Sequence, residues 1–107
     1  MDRKKELIKV KGFQVAPAEL EDVLRGLDGV RDVAVIGVDS EREGEAPRAY
    51  IVRQGELTEE AVHHYMGEQV ASHKQLKGGI QFVENIPKSA AGKILRKDLK
   101  AMYEATL

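Results

Sequence analysis

The sequence predicts a small α+β domain, in which an N-terminal β-hairpin precedes a sheet of roughly three strands packed by helices. Two observations support this fold class. Apolar side chains recur at three- and four-residue steps in three segments, which is typical of helices with one buried face. Between those segments lie short β-branched runs, which are typical of buried strands. With 107 residues, the chain has room for one domain over residues 1–107 and one modest core.

The first predicted elements are the hairpin and a helix. Residues 7–9 and 13–15 are short extended segments, and Gly12 between them permits a tight turn. The apolar spacing predicts a helix over residues 18–27, with Pro17 tolerated in its first turn. The charged positions that we expect on the solvent face of this helix are Glu19, Glu21, Asp22 and Arg25.

Two strands and a second helix follow. Residues 30–38 are β-branched and predict a buried strand, and residues 47–53 predict the strand that returns after a polar loop over residues 39–46. Thr58 is a suitable N-cap for the next helix. The side chains that we expect on its buried face are Ala61, Val62, Tyr65, Met66 and Val70.

A third strand and a last helix complete the chain. The Gly-Gly pair at residues 78–79 precedes the strand predicted over residues 80–83, and a loop over residues 85–92 follows it. Leu95, Leu99 and Met102 have helical spacing in the tail. Tyr50 and Phe82 are expected in the core, together with Tyr65.

Composition and charge exclude several classes of protein. The chain has no cysteine, so it forms no disulfide and no thiol site. His63, His64 and His73 lack the spacing of a metal site, and we expect none. No apolar run approaches the roughly 18 residues of a membrane span, and the charged N-terminus does not resemble a secretory signal. We therefore expect a cytoplasmic protein. The final Ala-Thr-Leu differs from the peroxisomal signal Ser-Lys-Leu, which argues against the peroxisome only if Leu107 is the native C-terminus.

The net charge of −1 conceals two basic segments. Residues 1–11 and residues 84–100 each contain five Lys or Arg against two Asp or Glu, whereas residues 12–83 contain seven against thirteen. A nucleic-acid-binding domain is more usually basic overall, so we expect no nucleic-acid partner. Two short basic segments on an acidic body indicate local anion sites, such as sites for the phosphates of a small molecule. Two solvated charged faces are the alternative interpretation.

The first candidate site is the loop Pro-Lys-Ser-Ala-Ala-Gly-Lys at residues 87–93. Its small residues let a ligand approach the backbone closely. Lys93 directly follows Gly92, and its long side chain can bring a compact positive charge to a phosphate or carboxylate oxygen. The spacing differs from that of a Walker A loop. A purely structural Gly-Lys pair is the alternative.

The second candidate site is the hairpin. Because strand side chains alternate between faces, one face of the first strand holds Lys5, Leu7, Lys9 and Lys11. Three ammonium groups on one side can hold a polyanion. An exposed strand kept soluble by lysine is the alternative.

Both segments resemble parts of one known family. The opening, DRKKELIKVKGFQVAPAELE at residues 2–21, resembles the start of the C-terminal domain of adenylate-forming enzymes. PKSAAGKILR at residues 87–96 resembles the motif near the end of that domain, and GEAPRA at residues 44–49 resembles its loop-to-strand signature. The three motifs occur in the right order over essentially the whole chain. The sequence of the hairpin is most similar to that of family members related to 4-coumarate–CoA ligase and beetle luciferase.

The resemblance implies a ligase that uses ATP, with Mg²⁺, to convert a carboxylic acid to an acyl-adenylate and then transfers the acyl group to CoA. By this resemblance Lys93 is the catalytic lysine of the first step, with its charge between the attacking carboxylate and the α-phosphate. The positions that match nucleotide or adenylate contacts are Arg3, Lys9 and Gln14.

The resemblance also implies that this domain is a rotating lid. Lys5 matches the hinge position, while Lys11 and Gly12 match hairpin positions that line the tunnel for the pantetheine arm of CoA. One lid then presents Lys93 for adenylation and the hairpin for thioester formation. The family's phosphate loop and acyl pocket belong to a larger N-terminal domain. We therefore expect an excised domain that binds ATP or CoA weakly and has no ligase activity alone.

Two other functions stay open on the sequence. A stand-alone module could bind a nucleotide or a partner without chemistry, and a luciferase-like monooxygenase could use a similar hairpin. A phosphate-loop domain encoded directly upstream would favour the ligase over the stand-alone module.

Overall fold

A computed structural model describes residues 7–10, 12–40, 44–70 and 74–105. The elements follow the predicted order of hairpin, helix, two strands, helix, strand and helix. The strands are β1 (Ile8–Val10), β2 (Phe13–Val15), β3 (Val30–Ser40), β4 (Gly44–Arg53) and β5 (Ile80–Phe82). The helices are α1 (Pro17–Arg25), α2 (Glu59–Gln69) and α3 (Arg96–Ala105). The predicted α+β class is confirmed.

All five of these strands belong to one sheet, because the hairpin joins the three strands that follow it. The order β2-β1-β4-β3 is antiparallel throughout, and β5 lies parallel to β4. β3 runs along one side of β4. On the other side, Gly44 pairs with Val10 of β1, and Ala49 pairs with Ile80 of β5.

The long β3–β4 hairpin extends further than the sequence predicted. The polar loop expected over residues 39–46 is wrong at both ends, because Asp39 pairs with Glu45 and Val38 pairs with Ala46. Polar residues fit a strand whose side chains alternate between a buried and an exposed face. Asp39 is exposed, whereas Val38 and Ala46, which pair with each other, are buried.

Apolar side chains are buried on both faces of the sheet. One cluster joins Val33 and Val35 of β3 to Leu20 of α1 and Met66 of α2. The alternate residues of β3 belong to a second cluster, in which Ile36 packs with other buried side chains, including Leu99 of α3. The helices α1 and α2 therefore cover one face, and α3 covers the other.

The helix caps and core positions agree with most of the sequence predictions. Thr58 caps α2, since its Oγ1 accepts a hydrogen bond from the N–H of Ala61 at 3.2 Å. Tyr50 is buried as expected. Ala61 is exposed, so its expected place on the buried face of α2 is wrong. Within the described ranges, no helix combines the length and apolar character needed to cross a membrane.

Candidate functional site

Lys93 lies on a short closed turn. The N–H of Ser89 donates to the carbonyl oxygen of Lys93 at 2.8 Å, and the N–H of Lys93 donates to Ser89 Oγ at 3.2 Å. The N–H of Gly92 donates to the carbonyl oxygen of Ser89 at 2.9 Å. Gly92 has a φ of +87°, a conformation that favours glycine. A fixed backbone thus presents the exposed Lys93 side chain to solvent.

The two legs of this turn are paired and packed against the core. The N–H of Leu95 donates to the carbonyl oxygen of Pro87 at 2.9 Å, and Lys88 and Ile94 form an antiparallel bridge. Ile86 is buried in the second core cluster, and Ile94 packs against that cluster. Residues 87–95, which we call the Lys93 turn, therefore form a small ladder on the α3 side of the sheet.

Two anchors hold the Lys93 turn: an ion pair to β3 at Lys88, near its start, and an ion pair to α1 with a hydrogen bond to β3 at Arg96, directly after its end. At the upstream anchor, Lys88 Nζ lies 2.6 Å from Asp32 Oδ2. At the downstream anchor, Arg96 Nη2 lies 2.7 Å from Glu21 Oε2, and Arg96 Nε donates to the carbonyl oxygen of Val35 at 3.1 Å. The turn is thus fixed to one strand at two points, three residues apart along that strand.

Glu21 connects three elements. Its side chain is only 3% exposed, although it was expected on the solvent face of α1, and that prediction is wrong. Its Oε2 accepts the N–H of Val35 at 2.8 Å as well as the guanidinium of Arg96. The N–H and carbonyl of Val35 point away from β4, at the outer edge of β3. Glu21 and Arg96 therefore occupy the hydrogen-bonding groups that a further strand would otherwise pair.

The hairpin places the second group of predicted residues together. Lys9 lies opposite Gln14 in the register of β1 and β2, and both are exposed. Their neighbours Ile8 and Val15 are buried in the first core cluster, which confirms the expected alternation. The N–H of Lys9 donates to Glu45 Oε1 at 2.8 Å, a link between hairpin and β4. A pair of side chains on one exposed face is suited to hold a polar ligand.

Gly12 forms the tip of the hairpin. Its φ is +87°, and a Cβ added there would meet no other atom within 4 Å. Phe13 beside it is 53% exposed. The tip therefore offers a narrow backbone edge next to an aromatic ring, which is a suitable border for an extended ligand.

The hairpin tip and the upstream anchor of the Lys93 turn lie towards opposite ends of β3. Val10, the last residue of β1, pairs with Gly44, and Gly44 pairs with Ser40 at the end of β3. The upstream anchor is at Asp32, near the beginning of β3. The eight residues from Asp32 to Ser40 span about 27 Å at the usual rise of a strand. The hairpin tip is thus well separated from the upstream anchor along β3.

The structure describes only some of the predicted site residues. It places Lys93 in one site, and it places Lys9, Gln14 and Gly12 in the other. The predicted residues that lie outside the described ranges are Arg3, Lys5, Lys11 and His73. In the part of the chain that is described, no group of three or more His, Asp or Glu could hold a metal ion.

The contacts that attach these two segments to the rest of the sheet were not predicted from the sequence. The residues that make them are Glu21, Asp32, Glu45, Lys88 and Arg96. One signal was present, because Glu21 is adjacent to Leu20 on a helix whose apolar stripe is broad enough to include it. The partners themselves are distant in sequence, since 75 residues separate Glu21 from Arg96.

Comparison with known proteins gives one family. Residues 19–93 match the family described as AMP-binding enzyme C-terminal domain. The chain is 54% identical over 102 residues to the phenylacetyl-CoA ligase epaB of Aspergillus niger, covering 94% of this chain and 19% of that protein. It is 49% identical to 4-coumarate:CoA ligase 1 of Petunia hybrida, covering 98% of this chain and 20% of that protein. The chain thus spans about a fifth of the length of these relatives.

Solved structures show the same fold. A fatty acyl CoA synthetase of Mycobacterium tuberculosis superposes with a TM-score of 0.86 at 40% identity, covering 94% of this chain and 20% of that one. Apo MatB of Rhodopseudomonas palustris superposes with a TM-score of 0.89 at 33% identity, covering 97% of this chain and 21% of that one.

Proposed function

Because this chain belongs to the family of AMP-binding enzyme C-terminal domains, we propose that it is the lid domain of an ATP-dependent, AMP-forming acid–CoA ligase. The observation that supports this most directly is Lys93. Its exposed side chain extends from a hydrogen-bonded turn attached to the core. This is an arrangement suited to carrying one positive charge to a reacting phosphate.

The first half-reaction would use the Lys93 turn. A carboxylate oxygen of the acid attacks the α-phosphorus of ATP, which enters as its magnesium complex, and the bond to pyrophosphate breaks. Negative charge gathers on the oxygens around that phosphorus, and the Lys93 ammonium offsets it between the two reactants. Lys9 and Gln14, on the hairpin face, would contact the nucleotide or the adenylate, and Arg3 would contact the ribose.

The second half-reaction would use the hairpin tip. The sulfur of CoA attacks the acyl carbonyl carbon, AMP leaves, and the thiol proton passes to solvent. Lys11 and Gly12 would line the passage of the pantetheine arm, and Lys5 would be the hinge between the two positions of the lid. The upstream anchor and the end of β3 beside the hairpin tip are about 27 Å apart along the strand, which supports a rotation of the whole domain, because a side-chain movement could not exchange the two regions.

A larger N-terminal domain would complete the active site. The relatives described above are about five times as long as the region that this chain matches. We therefore propose that the chain alone binds ATP and CoA weakly and forms no acyl-adenylate. An adenylation assay on the isolated chain that shows robust turnover would refute this proposal.

The relatives also favour one function over its alternatives. The four proteins named above include two CoA ligases and an acyl-CoA synthetase. This favours thioester formation over luciferase-like oxidation and over a binding module without chemistry. The binding module would regain support if full-length protein with a carboxylic acid and ATP released no pyrophosphate. Luciferase-like oxidation would regain support if pyrophosphate were released but no thioester formed with CoA.

The deciding experiment compares Lys93→Ala with wild type in the full-length enzyme, one half-reaction at a time. Pyrophosphate release from acid and ATP measures adenylation, and preformed acyl-adenylate with CoA measures thioester formation. We expect adenylation to fall by a factor of about 100 to 1,000, the usual effect of removing a group that stabilises transition-state charge. Thioester formation should stay near the wild-type rate.

Lys97→Ala is the matched control. Lys97 lies in the same basic segment, and its side chain is exposed on α3. It should leave both half-reactions near wild type, which would separate the role of Lys93 from a general loss of positive charge. If both half-reactions survive Lys93→Ala, then Lys93 is a structural residue and the proposed mechanism is wrong.

A further inference from the structure

We propose that the two anchors of the Lys93 turn are positioning residues for adenylation: Asp32 with Lys88 upstream, and Glu21 with Arg96 downstream. This inference rests on the proposed function, since it concerns the same lysine. It adds four residues that touch neither reactant and act through the placement of the Lys93 backbone.

The internal hydrogen bonds of the turn fix its conformation, whereas the anchors fix its orientation relative to β3. Ser89 and Gly92 close the turn onto itself, so their bonds would survive a rigid tilt of the whole segment. A tilt is instead opposed by contacts with another element. The anchors supply two such contacts on β3, at Asp32 and at Val35.

The charges of this segment agree with separate roles for its cations, some in anchoring and one in contact with a reactant. Residues 87–96 are all described and contain three cations. Lys88 and Arg96 are each within 2.7 Å of a carboxylate oxygen, whereas no carboxylate pairs with the exposed Lys93 in this part of the structure. Two cations therefore hold the segment, and the third is available to an anionic reactant.

Placement matters because the first half-reaction depends on one ammonium group between two anions. A displacement of about 1 Å can cost a catalytic group a factor of about 100 in rate. The second half-reaction would use the hairpin tip at the other end of β3. Loss of an anchor should therefore slow adenylation and leave thioester formation unchanged.

Asp32→Asn in the full-length enzyme tests the upstream anchor. In the native protein Oδ1 of Asp32 accepts the N–H of Val33 at 2.9 Å, while Oδ2 accepts Lys88. Asparagine has one oxygen, which can keep the bond to Val33, and its amide NH₂ would then face the ammonium of Lys88. We expect the kcat of adenylation to fall about twofold to fivefold, in line with the loss of a partly exposed pair. The KM for ATP should stay within a factor of about two, because no substrate contact is removed.

Glu19→Gln is the matched control. It breaks an ion pair of the same type, between Glu19 Oε2 and Lys74 Nζ, which are also 2.6 Å apart. This pair joins α1 to the segment before β5 and does not touch the Lys93 turn. We expect both half-reactions of Glu19→Gln to match wild type.

A double variant separates positioning from direct contact with substrate. If Lys88 acts only through Asp32, then Lys88→Met, Asp32→Asn and the double variant slow adenylation equally. A Lys88→Met variant that is much slower than Asp32→Asn would mean that Lys88 touches the reactants, and it would overturn the positioning role.

Arg96→Lys tests the downstream anchor with the charge retained. A lysine cannot donate to Glu21 and to the carbonyl of Val35 with the forked geometry of arginine. We expect a fall of about tenfold in the kcat of adenylation, larger than for the upstream pair because this pair is less exposed. Circular dichroism and thermal unfolding show whether Arg96→Lys is folded. If it is not folded, the Asp32→Asn variant alone tests whether the anchors position Lys93.

The combined results distinguish this inference from the proposed function. If Lys93→Ala slows adenylation and Asp32→Asn behaves like Glu19→Gln, the positioning role is wrong and the proposed function stands. An equal fall in both half-reactions for the anchor variants would show a general structural role, which also overturns the inference. If Lys93→Ala has no effect on adenylation, the proposed function is wrong, and the positioning role, which rests on it, is wrong as well.

Discussion

Ser89 and Lys93 hold each other by two hydrogen bonds, one in each direction: Ser89 N–H to the Lys93 carbonyl at 2.8 Å, and Lys93 N–H to Ser89 Oγ at 3.2 Å. The Ser89 hydroxyl thus accepts the backbone N–H of Lys93, a group that usually pairs with a carbonyl of a neighbouring strand. The sequence offered a Gly-Lys pair in a loop of small residues. The structure shows a turn in which hydrogen bonds from Ser89 fix the position of the Lys93 backbone, from which the lysine side chain extends.

Ser89→Ala should therefore weaken the placement of Lys93 without breaking the fold. The variant loses the acceptor for the Lys93 N–H and keeps the backbone bond in the other direction. We expect a loss of about 1 kcal/mol in the free energy of unfolding and a fall of a few-fold in the adenylation rate. Ser89→Thr retains the hydroxyl and should behave like wild type. Equal adenylation by Ser89→Ala and Ser89→Thr would contradict the role of the hydroxyl.

Gly92→Ala should slow adenylation through the backbone. Gly92 has a φ of +87°, and an added Cβ would meet no atom within 4 Å, so the substitution introduces strain and no clash. We expect about 1–2 kcal/mol of strain, which the turn could relieve by moving Lys93. Gly55→Ala is the control, since Gly55 has a φ of +83° and equally open surroundings, yet lies between β4 and α2. Both variants should lose similar thermal stability, measured by circular dichroism, and only Gly92→Ala should adenylate slowly.

Gly12→Ala should affect the other half-reaction. The hairpin tip has the same kind of backbone, with a φ of +87° and open space around an added Cβ. The strain should match that of Gly55→Ala at about 1–2 kcal/mol. The expected difference is in the transfer of the acyl group from preformed adenylate to CoA, which Gly12→Ala should slow and Gly55→Ala should not. A normal rate of transfer with Gly12→Ala would mean that the tip does not line the CoA passage.

The order of elements could be predicted because its signals are local. Helical spacing in α1 and the cap at Thr58 each depend on residues within one or two turns. The lengths of β3 and β4 could not be predicted. Asp39 and Glu45 are residue types typical of loops, and only the pairing of the two strands shows that they belong to the sheet. Pairing is set by packing across the sheet, which local composition does not encode.

The positioning of the Lys93 turn could not be predicted for a related reason. Lys88 is 56 residues from Asp32 in the sequence, and each side chain alone resembles an ordinary surface charge. The burial of Glu21 follows from its partners, because a carboxylate is tolerated in the core only when it is hydrogen-bonded or paired. Neither partner, the Val35 N–H or Arg96, is within reach until α1 and α3 meet at the edge of β3.

Glu21→Ala should be among the most destabilising single substitutions of a charged residue in the described part of the chain. It would leave the N–H of Val35 without an acceptor and the guanidinium of Arg96 without its carboxylate. Removing one partner of a buried pair usually costs about 3–5 kcal/mol, and the partial exposure of Arg96 places our expectation near the lower value.

The control for Glu21→Ala is the adjacent carboxylate on the exposed face of α1. Asp22→Ala breaks a pair with Arg25 at 2.8 Å in which both side chains are largely exposed. It should change the free energy of unfolding by less than about 1 kcal/mol. Urea unfolding, followed by circular dichroism, measures both variants on the same scale. Glu21→Gln, which still offers an oxygen to Val35, should lie between them. If Glu21→Ala were no less stable than Asp22→Ala, the three-way contact among α1, β3 and α3 would not stabilise the fold.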